Sequence, residues 1–214
     1  MPTATAGALQ SPGRCHFLTI TERFLHVMPP SSAPDATPEN PVETVYENRW
    51  FAVRRRAPYH WIEQAHSGAV LLLQRADQTI ALVRHYRVAA DAALWEFPRG
   101  GAQAGEALAD CAVREGHEET GYTVDRGTLR FLGSIYPDAG LIATHVEAYT
   151  ARTTTLRLRA QQRARNPDAV ERAAIQSLMW VPPDHLAALI RQGEIRDGFT
   201  LATWALWSAT RAQR

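Results

Sequence analysis

The sequence predicts an α/β sandwich built on a mixed sheet. Three observations carry this expectation: apolar runs of strand length recur between turn-forming residues, three longer segments have helical spacing, and the two kinds alternate without a strict βαβ rhythm. A chain of 214 residues with 45% hydrophobic and 21% charged side chains has room for one ordinary domain and a tail.

Taken in order, residues 1–41 hold seven of the 13 prolines and read as a mobile leader, with Phe17 to Val27 patterned as a short helix and Met28 as an alternative start. Residues 42–66 form an N-terminal layer, with strands over Val45 to Val53 and Trp61 to Glu63. Residues 67–214 hold the main domain. It opens with a buried strand from Gly68 to Gln74, and Ala76-Asp-Gln78 forms a hairpin turn into a second strand, Thr79 to Tyr86. A short strand at Leu94 to Phe97 runs into Pro98-Arg-Gly-Gly101, and a helix covers Glu106 to Thr120. It stops at Gly121, the residue type best able to adopt the left-handed conformation after a helix. Strands follow at Leu129 to Ile135, His145 to Thr153 and Leu178 to Val181, then helices at Pro183 to Gln192 and Phe199 to Ala212. Trp95, Trp180, Trp204 and Trp207 read as core residues.

Composition excludes several chemistries. All 23 basic side chains are arginine, so a P-loop, which needs a lysine on its phosphates, and Schiff-base catalysis, which needs a lysine amine, are both ruled out. A net charge of +1 argues against a nucleic-acid or membrane surface, and the run Gly68 to Leu73 is far short of a membrane span. Cys15 and Cys111 lie in unlike contexts, so a disulfide framework is not expected and a cytoplasmic location is.

The chemistry concentrates between Gly100 and Tyr122. Glu115, Glu118 and Glu119 stand at i, i+3 and i+4 and share one helix face, where three like charges repel unless something cationic sits between them. Arg114 reaches Glu118 at i+4; a divalent cation suits the remaining charge. Ala109, Ala112, Val113 and Gly116 form the core stripe, so the carboxylates lie at the edge of the buried face. Oxygen ligands alone select a hard ion such as Mg²⁺. Gly100, Gly101 and Gly105 before the helix allow close backbone approach to a ligand.

The spacing Gly100, five residues, Glu106, seven residues, then Arg114-Glu-Gly-His-Glu-Glu-Thr-Gly-Tyr122 resembles the Nudix box, G-x5-E-x7-R-E-U-x-E-E-x-G-U, where U is a bulky aliphatic residue. Every charged and glycine position matches. Gly116 and Tyr122 replace the two aliphatic positions, so Gly116→Leu is expected either to raise the melting temperature or to clash with a larger neighbour.

The resemblance implies a Nudix-type α/β/α sandwich and a hydrolase using Mg²⁺, with Mn²⁺ as a substitute. By matching position it implies Glu115, Glu118, Glu119 and the Arg99 carbonyl as metal ligands. Arg114 and Glu106 hold the helix carboxylates, and Gly100 and Gly121 shape the box. Val83 to Arg87, Trp95 to Gly100, Tyr136-Pro137 and Gly193 to Leu201 resemble the ADP-ribose pyrophosphatase branch. That branch implies Arg84, Arg87, Glu96, Arg99 and Pro137 as substrate contacts, a homodimer formed through residues 45–65, and ADP-ribose cleaved to AMP and ribose 5-phosphate. Glu171, with Asp168 behind it, is the candidate general base, and Arg152 to Arg165 is a candidate phosphate-reaching lid. Two rivals stand beside this reading: a Nudix hydrolase of another nucleoside diphosphate derivative, such as GDP-mannose, a dinucleotide or a coenzyme, and a nucleotide sensor without turnover.

Overall fold

The structure, a computed structural model, describes residues 40–157 and 175–211, apart from the side chains of residues 154–157 and 176. Most of the leader, including Phe17 to Val27, lies outside the described residues, as do Asp168, Glu171 and the lid residues beyond Arg157.

A small antiparallel sheet comes first: β1 (Glu43–Glu47), β2 (Phe51–Arg56) and β3 (Tyr59–Gln64), in the order β1-β2-β3. The single strand expected over Val45 to Val53 is therefore a hairpin. Its cause is Asn48, whose side-chain oxygen accepts the backbone N–H groups of Trp50 at 2.7 Å and Phe51 at 3.0 Å and so turns the chain on itself.

The second sheet has seven strands: β4 (Gly68–Gln74), β5 (Ile80–Arg87), β6 (Ala92–Glu96), β7 (Arg99–Gly101), β8 (Tyr122–Ile135), β9 (Val146–Arg157) and β10 (Ile175–Val181). Its main path runs β10-β5-β4-β9-β8, with β6 beside β5 and β7 beside β4. The β4–β9 pair is parallel and the others antiparallel, so the sheet is mixed. The helices are α1 (Leu108–Thr120), α2 (Pro183–Arg191) and α3 (Gly198–Arg211). Among the described residues, no helix is long and apolar enough to cross a membrane.

The unbroken apolar run of β4 follows from burial on both faces. Val70 and Leu72 join Leu82, Phe97, Leu186 and Trp207 in one core, with Trp95 and Trp204 packed against it. Ala69, Leu71 and Leu73 join Cys111, Ala112 and Val124 in the other, against which Trp180 packs. These two cores make the α/β/α sandwich, with α1 on one face and α2 and α3 on the other.

Three of the boundaries that differ from expectation bear on the site. Glu106 lies before α1, in a turn where its Oε2 accepts the Gln103 N–H at 2.8 Å; a carboxylate held this way leaves the first helical turn to begin at Leu108. The strand expected from Leu129 begins at Tyr122, and register shifts along it absorb the intervening Asp-Arg-Gly segment. Arg152 to Arg157, expected to open a lid, extend β9. Register also explains how the small sheet reaches the main domain: Ile62 N–H donates to the Leu141 carbonyl at 2.7 Å and the Ile62 carbonyl accepts from Ala143 at 2.9 Å. This brings Gln64 and His66 to the rim of a pocket.

Candidate active site

The pocket, about 200 Å³, opens where β4, β5 and β7 meet the C-terminal half of α1. Backbone contact defines its floor. Gly68 pairs with Gly101, and a Cβ on Gly68 would lie 2.6 Å from the Gly100 carbonyl oxygen, so the two strands approach as closely as glycine permits. A Cβ on Gly100 would in turn fall 2.2 Å from Glu115 Oε1 and 2.7 Å from Oε2. The Glu115 carboxylate thus occupies the space a side chain at residue 100 would take.

Arg114 organises the helix carboxylates. Its Nε and Nη2 donate to the two oxygens of Glu106 at 2.8 and 2.9 Å, a planar two-bond match. Nη1 donates to Glu115 at 2.7 Å and to Glu118 at 3.2 Å, and Nη2 also reaches the Gly101 carbonyl at 2.9 Å. The hydrogen bond to Glu106, then the charge of Glu115, holds Arg114 protonated well above its ordinary range; the same bond lowers Glu106.

Glu119 faces the other way, toward the pocket, and accepts the Arg99 N–H at 3.2 Å. Burial raises its carboxyl well above the usual range, the charge of Glu115 adds to this, and the Arg99 N–H with Arg87 and Arg99 opposes it. The opposite wall is a chain of alternating charges. Glu96, 1% exposed, accepts from Arg87 Nε at 3.0 Å and Nη2 at 2.6 Å, and its Oε2 lies 3.0 Å from Arg99 Nε. Arg99 Nη2 donates to Asp197 Oδ1 at 3.2 Å, and the Arg99 guanidinium lies 4.6 Å from the Phe199 ring centroid. Burial lowers Arg87, but the Glu96 hydrogen bond and charge outweigh it, and the net shift is upward. His85 completes the wall. It is 5% exposed, and its Nδ1 has no hydrogen-bond partner. Burial, then Arg87 and Arg99, lowers it to about 4, so the imidazole is neutral at physiological pH.

The donor set suits a hard divalent cation. Glu115 and Glu119 are neighbouring carboxylates whose mutual repulsion a cation relieves. Among the described residues, no three His, Cys, Asp or Glu side chains converge on a common point. Arg114 draws Glu115 and Glu118 to itself, while Glu119 turns to the Arg99 N–H.

The structure therefore brings Arg87, Arg99, Gly100 and Glu119 together at the pocket, with Glu96 behind the two arginines and Arg114, Glu106, Glu115 and Glu118 behind the helix face. Arg84 stands apart. It is exposed and lies 5.9 Å from the Trp95 ring centroid, on the opposite face of β5 from His85 and Arg87. Pro137 is exposed in the loop after β8 and does not line the pocket. Gly121 ends α1 with φ 71°, and its N–H closes on the His117 carbonyl. Cys111 is buried, and burial with the charge of Glu115 pushes its thiol up to about 12, which makes it inert packing. Sequence reasoning missed His85 and Asp197. Strand alternation from Arg87 points to the first, and an aspartate three residues before Thr200 at a helix start points to the second.

Residues 54–201 match the family model described as NUDIX domain. A GDP-mannose pyrophosphatase of Citrobacter koseri is 30% identical over 151 residues, spanning 65% of this chain and 71% of that protein. A GDP-mannose pyrophosphatase of Klebsiella pneumoniae is 32% identical over 142 residues, 64% of this chain and 67% of the relative. A CMP-5'-(N-acetyl-N-hydroxy-3-aminopropyl)phosphonate hydrolase of Streptomyces rubellomurinus is 30% identical over 134 residues, with 63% and 60% covered. In fold, the chain superposes on the crystal structure of an ADP compounds hydrolase with a TM-score of 0.59 at 18% identity, covering 80% of this chain and 92% of the other.

Proposed function

The chain belongs to the Nudix family, and we propose that it hydrolyses the diphosphate bridge of a nucleotide sugar of the GDP-mannose kind. Within the family, hydrolysis of a nucleoside diphosphate derivative is the general activity. The observation that carries the reading is the complete box in three dimensions: Arg114 gathers Glu106, Glu115 and Glu118 while Glu119 alone faces the pocket. For the substrate, the GDP-mannose relatives favour the alternative over ADP-ribose, whose support is the resemblance of the segments flanking the box.

In the reaction, a water oxygen bonds to one phosphorus of the bridge as the bond from that phosphorus to the bridging oxygen breaks. The bridging oxygen leaves on the other phosphate, giving a nucleoside monophosphate and a sugar phosphate. Glu115 and Glu119, with Glu118 beside them, would hold Mg²⁺, or Mn²⁺ in its place. When bound, the ion neutralises phosphate charge and makes the attacking water more acidic. Arg114 keeps three carboxylates in register without entering the pocket. Arg87 and Arg99 face the diphosphate, oriented by Glu96. Glu171 keeps its assignment as the base that takes the water proton. The protein is a homodimer joined through its small N-terminal sheet.

A panel of GDP-mannose, ADP-ribose, a dinucleotide and a coenzyme, each with Mg²⁺, tests the substrate. We expect GDP-mannose to give the highest kcat/KM and Glu119→Gln to lower it by about two orders of magnitude or more. A wild-type protein that binds these compounds and cleaves none is a sensor, and the hydrolase reading then fails.

A further inference from the structure

Asp197 uses its two carboxylate oxygens for two tasks. Oδ2 accepts the Thr200 N–H at 2.9 Å and the Thr200 hydroxyl at 2.8 Å, which caps the start of α3. Oδ1 accepts Arg99 Nη2 at 3.2 Å across 98 residues of sequence. A helix cap does not require charge, since asparagine and serine cap as well as aspartate. Only the Arg99 contact uses the negative charge, and at 7% exposure that charge is tolerated because it is paired.

The pocket wall shows why a second carboxylate is needed. Glu96 serves both Arg87 and Arg99, so one negative charge faces two positive ones, and Asp197 brings the count to two and two. Arg99 has a competing partner close by, because its backbone N–H already holds Glu119 and the two side chains feel each other's charge. Without Asp197, the Arg99 guanidinium keeps only Glu96 and the Phe199 ring on its own side, and can swing its Nη2 toward Glu119 to cancel the one carboxylate that faces the pocket. Thr200 reinforces the same link, its Oγ1 accepting the Phe97 N–H at 3.0 Å, two residues before Arg99.

We infer that Asp197 is a positioning residue of the nucleotide site: it holds the Arg99 guanidinium on its own side of the pocket, so that Arg99 meets the diphosphate and Glu119 stays free of it. This rests on the nucleotide-sugar reading. It predicts that the charge of Asp197 governs ligand affinity while its oxygen geometry governs stability.

Substitutions separate the two tasks. Asp197→Asn keeps the cap and loses the charge, and Asp197→Glu keeps the charge on a side chain that caps poorly. We expect Asp197→Asn, whose amide NH2 meets Arg99 once its oxygen caps Thr200, to lose no more melting temperature than Asp197→Glu, weaken GDP binding with Mg²⁺ about tenfold by calorimetry, and raise KM by a similar factor with kcat within about threefold. Asp197→Glu is expected to lose melting temperature but bind GDP more tightly than Asp197→Asn. Asp197→Ser, a second uncharged cap, should reproduce the asparagine result. The inference is overturned if Asp197→Asn binds GDP as tightly as wild type, or if affinity across the series simply follows melting temperature. A wild-type protein that binds GDP but cleaves no nucleotide sugar removes the hydrolase reading and leaves this inference standing; one that cleaves a nucleotide sugar but binds no GDP removes this inference and leaves the hydrolase reading standing.

Discussion

At residue 116 two effects oppose each other. Glycine inside a helix costs about 1 kcal/mol relative to alanine, which favours replacement. Yet a Cβ there would sit 2.4 Å from Leu71 Cδ2 and 3.0 Å from Val124 Cγ2, and both neighbours are buried. Of the two outcomes open from the sequence, the structure selects the clash. Alanine asks that one methyl of Leu71 shift and that Val124 give slightly, whereas leucine adds three more carbons to a filled space. Overpacking of this kind costs about 1–3 kcal/mol, so Gly116→Leu should lower the melting temperature by several degrees, and a rise would contradict the packing described here. The same scale shows what single residues did and did not reveal. The placement of Glu115, Glu118 and Glu119 on one helix beside Arg114 was legible because fixed spacing marks them. Arg84 was grouped with Arg87 although three positions along a strand place two side chains on opposite faces, and alternation instead selects His85. The Arg99 to Asp197 contact was not legible, since no local rule pairs residues so far apart in sequence.

Among the elements, those with a strong internal pattern were readable and those set by a single side chain were not. The span of β4 and the end of α1 at Gly121 followed from an apolar run and a left-handed stop. The β1–β2 turn did not, because Asn48 interrupts an otherwise strand-like sequence through two side-chain hydrogen bonds. Asn48→Ala should release the Trp50 and Phe51 amides. At about 1 kcal/mol for the lost bonds, hydrogen exchange at those two positions should quicken roughly fivefold while the amides of β4 keep their protection. Unchanged exchange at residues 50 and 51 would show that the hairpin is set by pairing with β3 alone.

For the whole molecule, the sheet β1-β2-β3 exposes several large apolar side chains among the described residues. Val45, Tyr46, Trp50 and Tyr59 are 56%, 53%, 59% and 73% exposed, and among the described residues β1 is paired on one side only. Exposed apolar side chains beside an open edge suit a second copy of the chain, as the dimer reading requires. Light scattering should give twice the 23.8 kDa chain mass for the wild type, and Val45→Glu with Tyr59→Glu should shift it toward the monomer. A wild-type monomer at micromolar concentration would remove the dimer. The sandwich itself was legible from the alternation of strands and helices, but the parallel β4–β9 contact was not, because register between distant strands is decided by packing of both faces.

The link from α3 back to β7 also sets an order of events. A chain made from its N-terminus exposes Glu96, Arg99, Glu115 and Glu119 long before Asp197 and Thr200 exist, so every residue of the box is synthesised while its wall lacks its last carboxylate. Closing contacts about a hundred residues apart is slow compared with forming α1. The site is therefore acquired late, once α3 is free to pack, and a nascent chain that already carries the whole box has not yet assembled the pocket.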